Sequence, residues 1–479
     1  MTAEAPTAAE KPKESPPAAP QSEAPKPVNV GKIKSILAAN QGARMRMWLS
    51  ICSRCGLCAE SCFFYLAHDN DPKLSPAYKA INTIGKMYRA KGEVSREFLE
   101  KCQEVVWGQC TACRRCSMYC PFGIDIATMI ATARAVCYSQ GVVPEGLART
   151  TENIRTSGNQ MAMANEDWVE TCDWMAEEYG EEVYGLEIPV DKQGAEYMYT
   201  VNPREPMYYP QDVGMAAEIF HVAGLDWTVP STGWDSTNLA MFAGDRAVAT
   251  IPVKAMYDKA LELGVKNIVI TECGHAFRSA KFEGPYWVGI PGGKPPVPVI
   301  HSVELFRDIM REGKIKLKHK FKPKVTYQDP CNVSRNGGLW DVGRELVNML
   351  CEDFVDMTPN REHNHCCGGG GGFIPMGPPY KKLRMASGKI KAEQIRATGA
   401  THVIVPCHNC FDQINDLNKQ YELGVKVVSF KEIITELMVI PESMIPPEED
   451  EDEAAEVQAE AEREVEEGAE QEAGEVQGS

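Results

Sequence analysis

The chain's 479 residues suffice for about three domains. With 43 % hydrophobic residues and no stretch near the roughly 18 apolar residues of a membrane span, the composition excludes a membrane-embedded chain. The net charge of -17 is mostly local, since 448–479 holds fifteen Asp or Glu against one Arg; a nearly neutral body with an acidic, self-repelling tail argues against nucleic-acid binding.

Residues 1–29, rich in Ala, Pro, Glu and Lys and without the apolar core of a signal peptide, read as a disordered tail on a cytoplasmic protein. Eighteen cysteines in such a context point to metal clusters or redox chemistry rather than disulfides. A short helix is expected over 30–49. Cys52, Cys55, Cys58 and Cys62 then show the spacing C-x2-C-x2-C-x3-C, and Cys110, Cys113, Cys116 and Cys120 repeat it ahead of Pro121. This is the bacterial ferredoxin run, in which three thiolates wrap one [4Fe-4S] cubane and the fourth ligates the other. It predicts Cys52, Cys55, Cys58 and Cys120 on one cluster and Cys110, Cys113, Cys116 and Cys62 on the second. Structural zinc calls for pairs of cysteines rather than a triple plus one. With apolar periodicity over 75–101 and 124–138, residues 30–143 read as a helical ferredoxin-like domain. Cys102, Cys137 and Cys172 read as buried apolar residues, and 144–201 as a helical connector.

From residue 202 short strands alternate with helices, the pattern of α/β units with parallel sheets. Two half-repeats are expected, 202–313 and 314–445. Residues 261–277 match 396–411, each a helix, a Gly, an apolar strand and then a Cys at the strand's carboxyl end, where ligand sites of open α/β sheets collect. Cys407 and Cys410 of the second copy face Cys273 and Ala276 of the first. Residues 206–210 and 325–331 are read as matching strand-turn segments, with Cys331 only in the second. Residues 233–244 occupy the place of His365-Cys366-Cys367 and the five glycines that follow. Adjacent thiols serve one tetrahedral zinc poorly, and glycines admit a bulky inorganic group and offer it N-H donors. The second copy thus supplies Cys331, Cys366, Cys367, Cys407 and Cys410, and the first is chiefly scaffold. Cys351 reads as core in a helix over 342–357. The Lys-alternating run 314–324 reads as a Lys-protected edge strand, with a dock for an acidic partner or anionic lipid as the alternative. Residues 446–479 form the acidic disordered tail.

The arrangement C-xn-C-C-G-xm-C-x2-C behind a two-cluster ferredoxin domain resembles the heterodisulfide reductase D-like family of CCG proteins. The strings Asn70-Asp-Pro-Lys-Leu-Ser-Pro-Ala-Tyr-Lys79, Cys113-Arg-Arg-Cys-Ser-Met-Tyr-Cys-Pro-Phe-Gly-Ile-Asp-Ile126 and Gly233-Trp-Asp-Ser-Thr-Asn238 bring it nearest to the K-subunit branch of membrane-bound Dsr complexes. The resemblance implies one noncubane [4Fe-4S] cluster on Cys331, Cys366, Cys367, Cys407 and Cys410, at which a disulfide is reductively cleaved. It further implies a peripheral position on the inner face of the membrane, a cytochrome b partner that oxidises quinol, other Dsr-type subunits, and a small DsrC-like sulfur carrier whose disulfide or trisulfide is reduced in dissimilatory sulfur metabolism. His275, His365 and His408 lie beside site cysteines and could deliver protons or orient the cluster shell. Cys273 is either a remnant or an accessory group. No Gly-rich dinucleotide fingerprint stands out, so neither flavin nor NAD is expected. The alternative is an electron-relay subunit of a glycolate- or lactate-oxidase-type flavoprotein complex.

Overall fold

The computed structural model describes residues 27–39 and 42–446. The two expected tails, 1–29 and 446–479, lie outside these residues apart from 27–29 and Pro446. The chain builds a helical domain followed by two α/β units with parallel sheets, the mixed class read from the sequence.

In the helical domain, two of the longer helices start at capping side chains. Ser95 accepts from Phe98 N ahead of Arg96–Val106, and Asp125 from Thr128 N ahead of Ile126–Ser139, each satisfying one orphan N-H of the first turn. The expected helix over 30–49 is two helices, Val30–Ala39 and Gly42–Ile51. The helical stretch over 75–101 breaks into Pro76–Asn82, Ile84–Arg89 and Arg96–Val106, because Thr83 leaves helical geometry and Gly92 turns left-handed.

The first unit orders its strands β2-β1-β3-β4: β1 (Tyr197–Thr200), β2 (Trp227–Thr228), β3 (Asn267–Ile270) and β4 (Val299–His301). The second orders β5 (Val325–Tyr327), β6 (His402–Ile404) and β7 (Lys426–Val428) side by side. All pairings are parallel, and the central strands read as continuous apolar runs such as Ile268-Val269-Ile270 because helices cover both sheet faces. A shared core holding Trp168, Phe220, Tyr327 and Phe430 runs between the units.

Several local expectations change. Strand β1 lies inside the segment read as a connector, whose remainder carries the helices Glu145–Ser157 and Asn165–Gly180. Residues 206–210 form no strand; 206–208 finish the helix Arg204–Tyr208, and Tyr209 and Pro210 link it to the next. The repeat register is therefore set by β1: Thr200 pairs with Ile270 as Tyr327 pairs with Ile404, so Asn202-Pro203-Arg204 corresponds to Asp329-Pro330-Cys331. The run 314–324 makes only isolated bridges, Leu317 to Met438 and Phe321 to Cys351, because its partner segments pass it singly. The helix expected over 342–357 is Trp340–Leu350, and Cys351 caps it in extended geometry, buried in the core. Cys102, Cys137 and Cys172 are buried as expected.

One residue fastens the two units to the helical domain. Arg134, 1 % exposed, donates from Nη1 to Phe242 O (3.1 Å) in the first unit and Gly371 O (3.0 Å) in the second, and from Nη2 to Cys110 O (2.5 Å). Burial lowers its guanidinium to about 10. The 233–244 and 366–372 segments thus dock as counterparts on one buried cation.

Candidate iron-sulfur site

The two ferredoxin runs adopt the same local geometry. Left-handed backbone occurs at Arg54 and Gly56 in one and at the equivalent Ala112 and Arg114 in the other. This curls each loop around its own thiols, and Ala112 N donates to Cys110 Sγ at 3.4 Å. The result is two cavities. One is lined by Cys52, Cys55, Cys58 and Cys120, the other by Cys62, Cys110, Cys113 and Cys116. The fourth cysteine of each run crosses to the partner set.

These pockets fit iron-sulfur clusters by their donor chemistry, which is all sulfur, a set that selects soft or iron-sulfur centres. Burial also pushes Cys58 up to about 11 and Cys116 well above an ordinary thiol, so holding these groups as thiolates calls for bound cations.

The five remaining site cysteines converge from three loops at the carboxyl ends of β5 and β6. Cys331 follows β5, and Cys407 caps the helix His408–Tyr421 with Cys410 in its first turn. Between them the adjacent pair diverges. Cys366 packs in the core of the helical domain with Cys331 at its edge, whereas Cys367 packs with Cys407 and Cys410. Cys367 Sγ and Cys410 Sγ are 3.2 Å apart. Hydrogen bonding to Cys113 and Cys331 lowers Cys366, and hydrogen bonding to Cys366 and Cys410 lowers Cys367; Cys407 falls to about 6, chiefly through Cys410. The second ferredoxin loop therefore reaches the five-thiol set: Cys113 packs against the core that holds Cys366, and Thr111 of the same loop bonds Cys366 Sγ.

The glycines do what close approach requires. Gly368 N donates to Cys366 Sγ (3.4 Å) and Gly369 N to Cys367 Sγ (3.5 Å). Gly371 has φ +68°, and a Cβ there would sit 2.2 Å from Thr111 O in the ferredoxin loop. Thr111 Oγ1 donates to Cys366 Sγ (3.4 Å), and Gln328 Nε2 to Cys410 Sγ (3.8 Å).

In the first unit, Arg204 stands where Cys331 stands in the second; its Nε donates to Asp412 Oδ2 at 3.1 Å, joining the units. Cys273 is fully buried, 3.4 Å from His275 Nδ1, and Cys407 is among the charges acting on it. His275 and Asn409, equivalent by the repeat, meet at 3.1 Å. The three histidines divide by environment. Burial lowers His275 and His365 to about 3, which keeps both rings neutral. His408 is held above its ordinary value: burial opposes its charge, but Glu205 and Asp212 more than offset that.

Those two carboxylates and His408 bring ligand atoms within 4.8 Å of one another. Their cation is Lys431, fully buried, with Nζ 2.8 Å from Glu205 Oε1. Other contributors escaped the sequence reading. Arg344 grips Asp329 bidentately (2.9 and 2.7 Å), fixing the loop that carries Cys331. Arg335 donates to Cys113 O (3.0 Å) and Asn364 O, tying the Cys366 loop to the ferredoxin run. Lys391 Nζ donates to Asn364 Oδ1 (2.6 Å); burial lowers it to about 8, while Cys367 and Cys410 pull it upward. The available signal for Lys391 is its phase with Ser387, Ile395 and Thr398 on the buried stripe of Pro378–Thr398.

Residues 48–124 match the 4Fe-4S dicluster domain family, and residues 325–415 match the Cysteine-rich domain family. An Hdr-like menaquinol oxidoreductase iron-sulfur subunit of Archaeoglobus profundus is 24 % identical over 437 residues, covering 80 % of this chain and 77 % of that protein. The chain is thus similar to heterodisulfide reductase D-like CCG proteins. A family member from Methanosarcina mazei, the D-type subunit of its dihydromethanophenazine:CoB-CoM heterodisulfide reductase, is 24 % identical over 428 residues, 85 % of this chain and 98 % of that one. The EtfAB:quinone oxidoreductase of Syntrophomonas wolfei is 23 % identical over 436 residues, 81 % of this chain and 58 % of its own length. Among the described residues, no helix is long and apolar enough to cross a membrane.

Proposed function

We propose that this chain is the iron-sulfur subunit of a membrane-bound, quinol-linked redox complex that reduces a disulfide or trisulfide of a small DsrC-like sulfur-carrier protein in dissimilatory sulfur metabolism. The observation that carries this reading is the hydrogen bond from Thr111 Oγ1, in the second ferredoxin loop, to Cys366 Sγ of the five-thiol set at 3.4 Å, with Cys113 packed against the same core as Cys366. A one-electron relay thus adjoins a sulfur-rich site. The overall reaction is R-S-S-R′ + 2 e⁻ + 2 H⁺ → RSH + R′SH, with electrons drawn from a quinol by a cytochrome b subunit, QH₂ → Q + 2 e⁻ + 2 H⁺.

Two cubanes on the ferredoxin sets and one noncubane cluster on Cys331, Cys366, Cys367, Cys407 and Cys410 would supply the single-electron steps that a disulfide, a two-electron acceptor, requires. The protein's own groups prepare the site. Gly368 N, Gly369 N, Thr111 and Gln328 donate hydrogen bonds to ligand sulfurs, and such donors help set a cluster's potential. Lys391 brings positive charge beside Cys367. Of the three histidines proposed to orient the shell or bring protons, His408 is the one whose ring nitrogen faces carboxylates, at 3.3 Å from Asp212 and 3.5 Å from Glu205.

The test is EPR of the oxidised protein with and without a small dithiol carrier protein. The reading predicts a carrier-dependent signal that disappears in Cys367→Ser; a signal that persists in that variant refutes it. Co-purification with a cytochrome b, in place of a flavoprotein, separates this reading from the flavoprotein-linked alternative.

A further inference from the structure

The two ferredoxin thiol sets are unequally covered. The second set faces inward: Thr111 in its loop bonds Cys366 Sγ at 3.4 Å, and Cys113 packs against the core that holds Cys366. The first set opens outward, with Cys55 exposed. Apolar side chains surround that opening: the exposed Phe122 lines the same cavity as Cys55, and the exposed Ile51 and Leu57 adjoin Cys52 and Cys58 in the chain. The helix Gly42–Ile51 buries Met45 and Trp48 and turns Met47 and Ile51 outward. Exposed apolar residues grouped in this way mark an interaction site more often than single ones do. Arg46 and Arg54 are exposed on the same segment, giving it a basic character in a chain of net charge -17.

We propose that this face docks an electron-exchanging protein whose contact surface is apolar with a carboxylate rim, seated over Cys55. The inference rests on the reading above that the chain exchanges electrons with a partner subunit, and it specifies where. Cys366 occupies the inner end of the thiol series, which leaves the Cys55 end for the partner. An apolar centre seals the contact against water, and the arginines orient a partner of opposite charge. One electron leaves the partner's redox centre for each one accepted here.

The experiment places a benzophenone photocrosslinking residue at Met47 or Ile51 of the full-length chain, and at the exposed Leu261 of the first α/β unit as a control, in the native host. The expected adduct at Met47 and Ile51 is a polypeptide that binds haem, flavin or an iron-sulfur cluster, with none from Leu261. Arg46→Glu in the same chain lowers the adduct yield about tenfold, as loss of a steering charge does, with iron content and visible absorption unchanged. An adduct to phospholipid, to a second copy of the chain or to a protein without a redox cofactor overturns the proposal, as does the absence of any adduct. Disulfide cleavage driven by reduced methyl viologen is measured alongside on the unmodified chain. Its failure counts against the catalytic reading and leaves the docking result standing.

Discussion

Removing the Lys431 ammonium tests whether the buried charge cluster beneath Cys407 holds the two α/β units together. Lys431 Nζ is 2.8 Å from Glu205 Oε1 and 3.1 Å from Asp212 O, and both Lys431 and Glu205 are fully buried. At that separation and an effective dielectric near 20, the attraction is about 6 kcal/mol. Relief of the buried ammonium's desolvation returns part of it, which leaves Lys431→Met about 3–5 kcal/mol less stable because the Glu205 carboxylate stays buried without its cation. Glu205 keeps its bonds from Asn202 N (2.7 Å) and Thr271 Oγ1 (2.8 Å), so those terms are unchanged. The pair Lys431→Met with Glu205→Gln removes both charges and recovers about 2 kcal/mol relative to Lys431→Met alone. Anaerobic urea unfolding of the wild type, both single variants and the double variant gives the coupling directly. A Lys431→Met protein within about 1 kcal/mol of wild type, or a double variant no more stable than it, refutes the reasoning.

Iron and acid-labile sulfide analysis should give about twelve iron atoms per chain for three four-iron clusters, falling to about eight in Cys407→Ser, while Cys172→Ser and Cys351→Ser leave the count unchanged. Gly371→Val forces a Cβ against Thr111 O from a left-handed backbone and costs about 2–5 kcal/mol, read from thermal unfolding. Gly370→Ala, with nothing within 4 Å of the added carbon, stays within about 0.5 kcal/mol. Burial and the nearby Glu182 raise Glu218 from 4.5 to about 7, with Lys318 opposing. The folded state therefore binds more protons than the unfolded one between those values, and stability falls as pH rises through the window. Glu218→Gln removes up to about 3 kcal/mol of that fall, checked by urea midpoints at pH 5 and pH 8.

The ferredoxin sets were legible because a cluster-wrapping loop tolerates one spacing of cysteines, and that spacing is written twice; the cavities group Cys120 with the first run and Cys62 with the second. The five-thiol set was legible as a list for a similar reason, since each cysteine follows an apolar strand or sits in a glycine run. The repeat was visible in the strand pair β3 and β6, but its register at β1 was not. Tyr-rich residues 206–210 resemble a strand in composition, and only the pairing of Thr200 with Ile270 shows that Arg204 takes the place of Cys331. The Lys-rich run misled for a related reason: alternation gives strand periodicity, but a ladder needs a neighbouring backbone along its whole length.

By itself, then, the sequence determined the donor chemistry: thirteen cysteines whose spacings and flanking glycines suit iron-sulfur centres, and a parallel-sheet scaffold that gathers loops at strand ends. The tertiary structure decided the connections. That Cys366 and Cys367 part toward different cores, that Thr111 reaches Cys366 across more than two hundred residues, and that Arg134 grips both units depend on how the domains dock. Docking is set by buried surfaces and partnered charges such as Lys431 and Lys391. Their positions in the chain look like those of any solvated lysine until the helices that bury them are packed.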